Sequence, residues 1–200
     1  MRAILGLVRN LKNSEVAGLV DSRIKTFRAL GRKPIGEIFK ELCFCLLTAN
    51  FNAERAIAIQ QKIGDGFLTL PQKRLASTLR TLGYRYPNTR ARYVVEARRH
   101  IGHLASRLDR EWLVENIKGL GYKEASHFLR NIGHDNLAII DFHIVDLLVR
   151  HGLAERPKTL TKAKYFELED ILQKIAQKSN LTLAELDLYL WYLETGKILK

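Results

Sequence analysis

The chain has 200 residues, 46% of them hydrophobic, which suits one globular domain or two small subdomains that share a core. It has no apolar run of the roughly 18 residues that a membrane-spanning helix needs, and its N-terminus turns polar too soon for a signal peptide, so we expect an intracellular protein without a membrane partner. The formal net charge of +12 favours a polyanionic partner such as nucleic acid. A basic protein without such a partner is the alternative that charge alone leaves open.

Helical periodicity dominates the chain in order, and strand alternation is not convincing anywhere. A stripe of apolar residues predicts a helix over 15–30, and Pro34 opens the next one. Further helices are predicted over 53–64, 71–81, 89–106, 110–116, 122–132, 141–151, 161–178 and 182–194. The sequence therefore predicts an all-α fold of about ten short helices.

The cysteines and histidines give no sign of a disulfide or a metal site. Cys43 and Cys45 are two residues apart, so their side chains diverge on either a helix or a strand, and we interpret them as small buried apolar residues. The histidines lack ligand spacing with acidic or cysteine partners, so we expect no metal.

Residues 115–133 contain two predicted helices that meet through Gly119-Leu120-Gly121. Glycines permit a tight turn and close approach by a DNA backbone. Free amides at the start of the second helix would then face a phosphate, aided by the helix dipole. The simpler alternative is that the two glycines only end one helix and begin another.

Two side chains near this turn suit catalysis. Lys123 lies in the first turn of the second helix, where the helix dipole and partial burial both disfavour a protonated ammonium, which makes it a candidate nucleophile. The alternative is a solvated surface lysine. Asp141 follows the apolar run 137–140, where a carboxylate either caps the helix that begins at Phe142 or has a chemical task. The two roles are compatible.

The segment Gly119-Leu120-Gly121-Tyr122-Lys123, followed by Asp141-Phe142-His143, resembles the helix–hairpin–helix DNA glycosylases, and it is most similar to the archaeal and bacterial type-2 8-oxoguanine DNA glycosylases. The resemblance covers nearly the whole chain. It implies a single glycosylase domain over residues 1–200, built from two helical subdomains with a lesion-binding cleft between them and a hairpin at about 110–132. By the same resemblance, Lys123 attacks C1′ of the flipped nucleotide, Asp141 stabilises the charge that develops on the sugar, and His143 contacts a phosphate.

Two other segments match the same family. By resemblance, Asn50 helps to fill the space vacated by the flipped base, and Arg55 and Arg90 read the orphaned cytosine. Relatives often carry an aromatic wedge at the position of Thr89, so here the wedge is unassigned between Tyr84 and Tyr86. The alternatives are that Asn50 caps a helix and that the two arginines are surface charge.

The C-terminal segment carries the expected recognition of the damaged base. Helix 182–194 begins with a Thr182–Glu185 capping box, and Gly196 lets the chain turn so that Ile198 and Leu199 can pin the tail. Asp187 and Trp191, four residues apart, are candidates for a base pocket. The family resemblance adds Lys200 as a residue of lesion recognition. A terminal carboxylate would accept from the N7–H that 8-oxoguanine has and guanine lacks, and the sequence leaves open whether this carboxylate or the lysine ammonium contacts the base. A frayed, solvated tail is the alternative.

We therefore expect a monomeric, cofactor-independent glycosylase/AP lyase that excises 8-oxoguanine from duplex DNA in base excision repair, through a lysine Schiff base and β-elimination. An endonuclease III-like enzyme for oxidised pyrimidines is the first alternative, although such relatives commonly hold an iron–sulfur cluster on four C-terminal cysteines, and none follows Cys45. A mismatch adenine glycosylase normally lacks the lysine. A non-catalytic DNA-binding module that uses the hairpin as a phosphate clamp is the third.

Overall fold

The structure is a computed structural model of the chain, and it describes residues 1–104 and 108–200. Every regular element within these residues is a helix, which confirms the predicted all-α fold. The helices are α1 Arg2–Lys12, α2 Val16–Leu30, α3 Ile35–Thr48, α4 Ala53–Ile63, α5 Gly66–Thr69, α6 Gln72–Thr81, α7 Pro87–Ala97, α8 Ile101–Leu104, α9 Arg110–Asn116, α10 Tyr122–Asn131, α11 Phe142–Arg150, α12 Lys162–Ser179 and α13 Leu183–Thr195. None of these helices, over the two ranges described, is long and apolar enough to cross a membrane.

The predicted helices differ from the observed ones mainly at three places. Helix α1 was not predicted; it begins at Arg2, and its N-cap residue Met1 makes no side-chain capping bond. Helix α5 is four residues long, which is too short for a periodicity to show. The helix predicted over 89–106 is divided by a 3₁₀ turn at Arg98–His100, and residues 105 and 106 of that prediction lie outside the described residues.

The helices form two compact units, which confirms the prediction of two helical subdomains. The terminal unit comprises Met1–Ala29 and Arg130–Lys200, and the central unit comprises Leu30–Leu129.

Helix α3 is the core of the central unit. It is buried from Ile38 onward, apart from Lys40, and α4, α5, α7 and α8 pack on it. Cys43 and Cys45 lie in this core with no exposed surface, as interpreted from the sequence, and burial raises the pKa of the Cys43 thiol well above its ordinary value. The central unit thus gives a rigid support to the loop that follows α3.

Helix α13 organises the terminal unit, where it packs against α1, α11 and α12. The predicted capping box is present, because Thr182 Oγ1 accepts from the Glu185 amide and the Glu185 carboxylate accepts from the Thr182 amide. An apolar cluster joins α13 to α2, and the half-buried Ile198 packs on this cluster after Gly196 ends the helix with φ 69°. The predicted pinning of the tail through Ile198 is therefore confirmed.

Candidate functional site

The helix–turn–helix of the central unit lies where the hairpin was predicted, with α9 and the start of α10 joined by residues 117–121. Gly119 has φ +94°, and a Cβ atom there would lie 2.4 Å from Cδ2 of Tyr93. Gly121 does not need a left-handed backbone, and a Cβ there would meet only Glu124 Oε2, at 3.2 Å. Gly119 is therefore the glycine that this turn requires.

One of the amides at this turn already has a partner. The amide of Gly121 is not free to face a phosphate, because it donates to Glu124 Oε2 at 3.2 Å. Glu124 stands three residues after Gly121, which is the spacing at which a glutamate reaches back to the start of its own helix. A phosphate at this helix end would have to displace that carboxylate or bind the amides that follow.

Lys123 is half-buried, with 23% of its side chain exposed. Its Nζ lies 3.9 Å from Glu124 Oε1 and makes no hydrogen bond with the described residues. The predicted partial burial is confirmed, and the alternative of a fully solvated surface lysine is wrong. Its amine therefore lies in the central unit, close to the Glu124 carboxylate.

Asp141 belongs to the terminal unit and caps α11, where its Oδ1 accepts from the Ile144 amide at 3.0 Å. The capping role is therefore confirmed. Its Oδ2 makes no hydrogen bond with residues in the part of the chain that the structure describes. Tyr165 fixes the backbone that leads into this aspartate: its hydroxyl donates to the Ala138 carbonyl at 2.7 Å and accepts from the Ile140 amide at 3.3 Å. The carboxylate is thus held on a rigid element with one oxygen outside the cap.

The next two residues are on the surface of the terminal unit. His143 is exposed, and its ring packs edge-on against Trp191 with the ring centres 5.4 Å apart. The indole Nε1 of Trp191 is a buried donor without a partner among the described residues. Phe142 is 77% exposed, and sequence reasoning assigned it no role. One sequence feature could have identified Phe142: it is an aromatic residue directly after an N-cap, and it lies outside the apolar face of α11.

The loop after α3 holds Asn50 in a left-handed conformation, with φ 56° and an exposed side chain. Asn50 is not a helix cap, so that alternative is wrong. Asn52 caps α4 instead, because its side chain accepts from the Arg55 amide at 2.9 Å. The conformation of Asn50 is uncommon outside glycine, although asparagine tolerates it better than most residues.

The two arginines assigned to the cytosine have different surroundings. Arg55 is exposed, and its Nη2 donates to the Gly83 carbonyl at 3.0 Å. Arg90 is only 9% exposed, so surface charge is the wrong interpretation for it. Its Nε donates to the Tyr84 hydroxyl at 3.0 Å and its Nη2 to the Ala49 carbonyl at 3.1 Å.

The structure separates the two candidates for the wedge. Tyr84 is buried, and its hydroxyl donates to the Leu47 carbonyl at 2.9 Å. Tyr86 is 45% exposed, and the Arg85 guanidinium lies 5.0 Å from the centre of its ring. Of these two tyrosines, Tyr86 alone presents its ring at the surface.

The C-terminal candidates are all in the terminal unit. Asp187 forms an ion pair with Arg130, whose side chain is 4% exposed, and the Arg130 guanidinium also lies 4.7 Å from the centre of the Phe27 ring. Asp187 is therefore the partner of a buried cation rather than a solvated acid. Lys200 is half-buried, so the structure does not show a frayed terminus.

Comparisons with known proteins all indicate one family. A family model described as 8-oxoguanine DNA glycosylase matches residues 20–181. The 8-oxoguanine DNA glycosylase/AP lyase of Methanocaldococcus jannaschii is 53% identical, covering 96% of this chain and 97% of the relative. The protein of the same name from Korarchaeum cryptofilum is 52% identical, covering 96% of each. The crystal structure of the Methanocaldococcus jannaschii 8-oxoguanine glycosylase/lyase in complex with 15mer DNA containing 8-oxoguanine has a TM-score of 0.96 and 51% identity, over 100% of both chains.

Proposed function

Because the chain belongs to the 8-oxoguanine DNA glycosylase family, we propose that it excises 8-oxoguanine from duplex DNA and cleaves the abasic strand as an AP lyase. The observation that carries the lyase step is the half-buried Lys123 amine in the first turn of α10. A partly buried amine that makes no hydrogen bond with the described residues is available as a nucleophile.

The reaction begins when the damaged nucleotide leaves the stack, at a cost of a few kcal/mol. Neutral Nζ of Lys123 attacks C1′, the C1′–N9 bond breaks, and its electron pair leaves with the base, which takes up a proton. Nζ then gives up a proton, and its electron pair opens the C1′–O4′ bond as O4′ takes up a proton. The product is a protonated Schiff base between Nζ and C1′. Loss of a C2′ proton then expels the 3′ phosphate by β-elimination, and hydrolysis of the imine frees the lysine.

Asp141 acts electrostatically in this scheme. Its Oδ1 is engaged in the α11 cap, so the rigid helix end fixes the direction of Oδ2. A fixed negative charge favours the cation-like sugar of the transition state and has to reorganise little.

Exposed side chains of each unit would grip the DNA. In the central unit, Asn50 fills the vacated space, Arg55 reads the orphaned cytosine and Tyr86 acts as the wedge, while Gly119 and Gly121 allow a DNA backbone to approach the turn. In the terminal unit, His143 contacts a phosphate, and the exposed ring of Phe142 covers an adjacent deoxyribose.

The C-terminal segment would recognise the base. A main-chain oxygen of Lys200 accepts from the N7–H of 8-oxoguanine and repels the N7 lone pair of guanine. Trp191 offers its buried indole N–H as a donor to the bound nucleotide. Asp187 contributes to base recognition indirectly, because its ion pair fixes the buried Arg130 in the terminal unit.

We also propose that the protein acts as a monomer, because every side chain assigned above belongs to this one chain, with residues 1–200 as one glycosylase domain. Because the proposed substrate is DNA, we propose that it works inside the cell. Light scattering of the protein alone and bound to duplex measures its oligomeric state. A dimer in both conditions would contradict this part of the proposal.

Strand cleavage on a panel of duplexes, assayed in EDTA, tests the function. We expect cleavage of duplex that contains 8-oxoguanine and little cleavage of duplex that contains an oxidised pyrimidine. The reverse preference would favour the endonuclease III-like alternative. Tight binding with no cleavage of either duplex would favour a non-catalytic DNA-binding module.

A further inference from the structure

The backbone that follows α3 is held by two buried side chains. The carbonyls at a helix C-terminus lack partners within the helix. Here the Tyr84 hydroxyl donates to the Leu47 carbonyl at 2.9 Å, and Arg90 Nη2 donates to the Ala49 carbonyl at 3.1 Å. Arg90 Nε also donates to the Tyr84 hydroxyl at 3.0 Å, which joins the two side chains into one network. Burial raises the pKa of Tyr84 against the opposing effect of Arg90, so the hydroxyl remains a donor.

This network restrains the residues on both sides of Asn50. On one side, Arg90 holds the carbonyl of Ala49. On the other side, the ring of Phe51 lies 4.5 Å from the ring of Tyr84, and the Phe51 amide donates to the Thr48 carbonyl at 3.2 Å. Residues other than glycine keep a left-handed backbone only where their surroundings hold it. The exposed side chain of Asn50 is therefore presented by a restrained backbone.

The same arginine also reaches the hairpin turn. Its guanidinium lies 5.7 Å from the centre of the Tyr93 ring, and that ring covers Gly119 so closely that a Cβ there would be 2.4 Å away. Arg90 Nη1 is 3.3 Å from the same Cβ position. One buried guanidinium thus bonds to the loop that carries Asn50 and lies beside the turn that is proposed to approach the DNA backbone.

We propose that Arg90 is a positioning residue, which with Tyr84 sets the Asn50 loop against the hairpin turn and does not read the orphaned cytosine itself. To reach a base, the guanidinium would have to give up its bonds to Tyr84 and Ala49 and leave its buried position. The proposal rests on the proposed function, because it assigns Arg90 a task in the insertion of Asn50 into the duplex.

The decisive variant is Tyr84→Phe, because Tyr84 is 4% exposed and its hydroxyl meets Leu47 and Arg90 rather than solvent. Single-turnover excision of 8-oxoguanine should fall about tenfold in this variant, by a similar factor with each of the four bases opposite the lesion. Borohydride trapping on a preformed abasic site should stay at the wild-type level, since no damaged base has to be flipped there. Arg90→Lys, which keeps the charge and loses the planar fork, should give the same profile.

Three readouts separate positioning from direct contact. A loss of excision confined to duplex with cytosine opposite the lesion would show that Arg90 reads the base. A fall of about one in the slope of DNA-binding affinity against salt concentration in Arg90→Ala would show a phosphate contact. Either result overturns the proposal. Arg74→Ala, which removes an exposed charge on α6, is the matched control. The double variant Asn50→Ala/Tyr84→Phe should be no slower than the slower single variant, and additive losses would also overturn the proposal.

Wild-type excision by Tyr84→Phe, or an equal loss of abasic-site trapping, would reduce the network to general scaffold and overturn the proposal. The proposed function fails separately, and only if the wild-type protein itself excises no 8-oxoguanine.

Discussion

Asp141 has a structural and a proposed chemical role that substitutions can separate. Its Oδ1 caps α11 through the Ile144 amide at 3.0 Å. Asparagine caps helices about as well as aspartate, so Asp141→Asn should change the free energy of unfolding by less than about 0.5 kcal/mol. Asp141→Ala loses the cap and should cost about 1 kcal/mol, or roughly 2–4 °C in Tm for a chain of this size.

The effect on catalysis should be the same in both variants, because both remove the negative charge. Loss of a preorganised electrostatic group typically slows the chemical step by about 100- to 1,000-fold. Single-turnover excision and thermal unfolding, measured on the same preparations, give the two effects separately. An Asp141→Asn protein with unchanged Tm and near-wild-type excision would show that the carboxylate is only a cap.

Thr161→Ala is the matched control for this experiment. Thr161 caps α12 in the same unit, where its hydroxyl accepts from the Lys164 amide at 3.3 Å, and it has no part in the proposed site. Its removal should lower Tm by a similar roughly 2–4 °C and leave excision unchanged. A parallel loss of excision in this variant would mean that loss of a cap alone impairs the enzyme.

Gly119→Ala should destabilise the protein by about 1–3 kcal/mol and weaken DNA binding, because Gly119 has a positive φ and the Tyr93 ring leaves no space for a Cβ. Gly121→Ala should unfold near the wild-type temperature. Equal losses of Tm in the two variants would contradict the assignment of Gly119 as the glycine that the turn requires. Deletion of Lys200 should slow 8-oxoguanine excision by about tenfold or more while affinity for undamaged duplex stays the same, and unchanged excision would exclude a role for the tail. Tyr86→Ala should slow excision from a paired duplex more than trapping at an abasic site, and equal effects on the two would argue against a wedge.

Local sequence signals predicted the features that local interactions create. The caps at Asp141 and Thr182 and the turn at Gly196 all depend on residues within one helical turn, and all were found. Lys123 was identifiable for the same reason, because its place at a helix start is readable from the adjacent glycines. The family resemblance supplied what spacing alone does not, which is the pairing of this lysine with a particular aspartate.

The features that were missed depend on distant contacts. Arg90 resembles a surface arginine in its own helix, and its burial comes from the Ala49 carbonyl, 41 residues away in the chain. The short helix α5 is another case, because Arg98 donates to the carbonyls of Phe67 at 2.8 Å and Leu70 at 2.8 Å from 31 and 28 residues away. The pattern of residues within such a short segment cannot indicate a contact with an arginine that far along the sequence.

Borohydride trapping on a duplex that contains 8-oxoguanine tests the central claim most directly, because only a lysine that forms a Schiff base with the sugar becomes covalently attached to DNA. The wild-type protein should be trapped, and Lys123→Gln should bind the duplex without being trapped. Lys118→Gln, which removes a 60% exposed lysine from the same hairpin, should be trapped like the wild type. Undiminished trapping of Lys123→Gln would contradict the account.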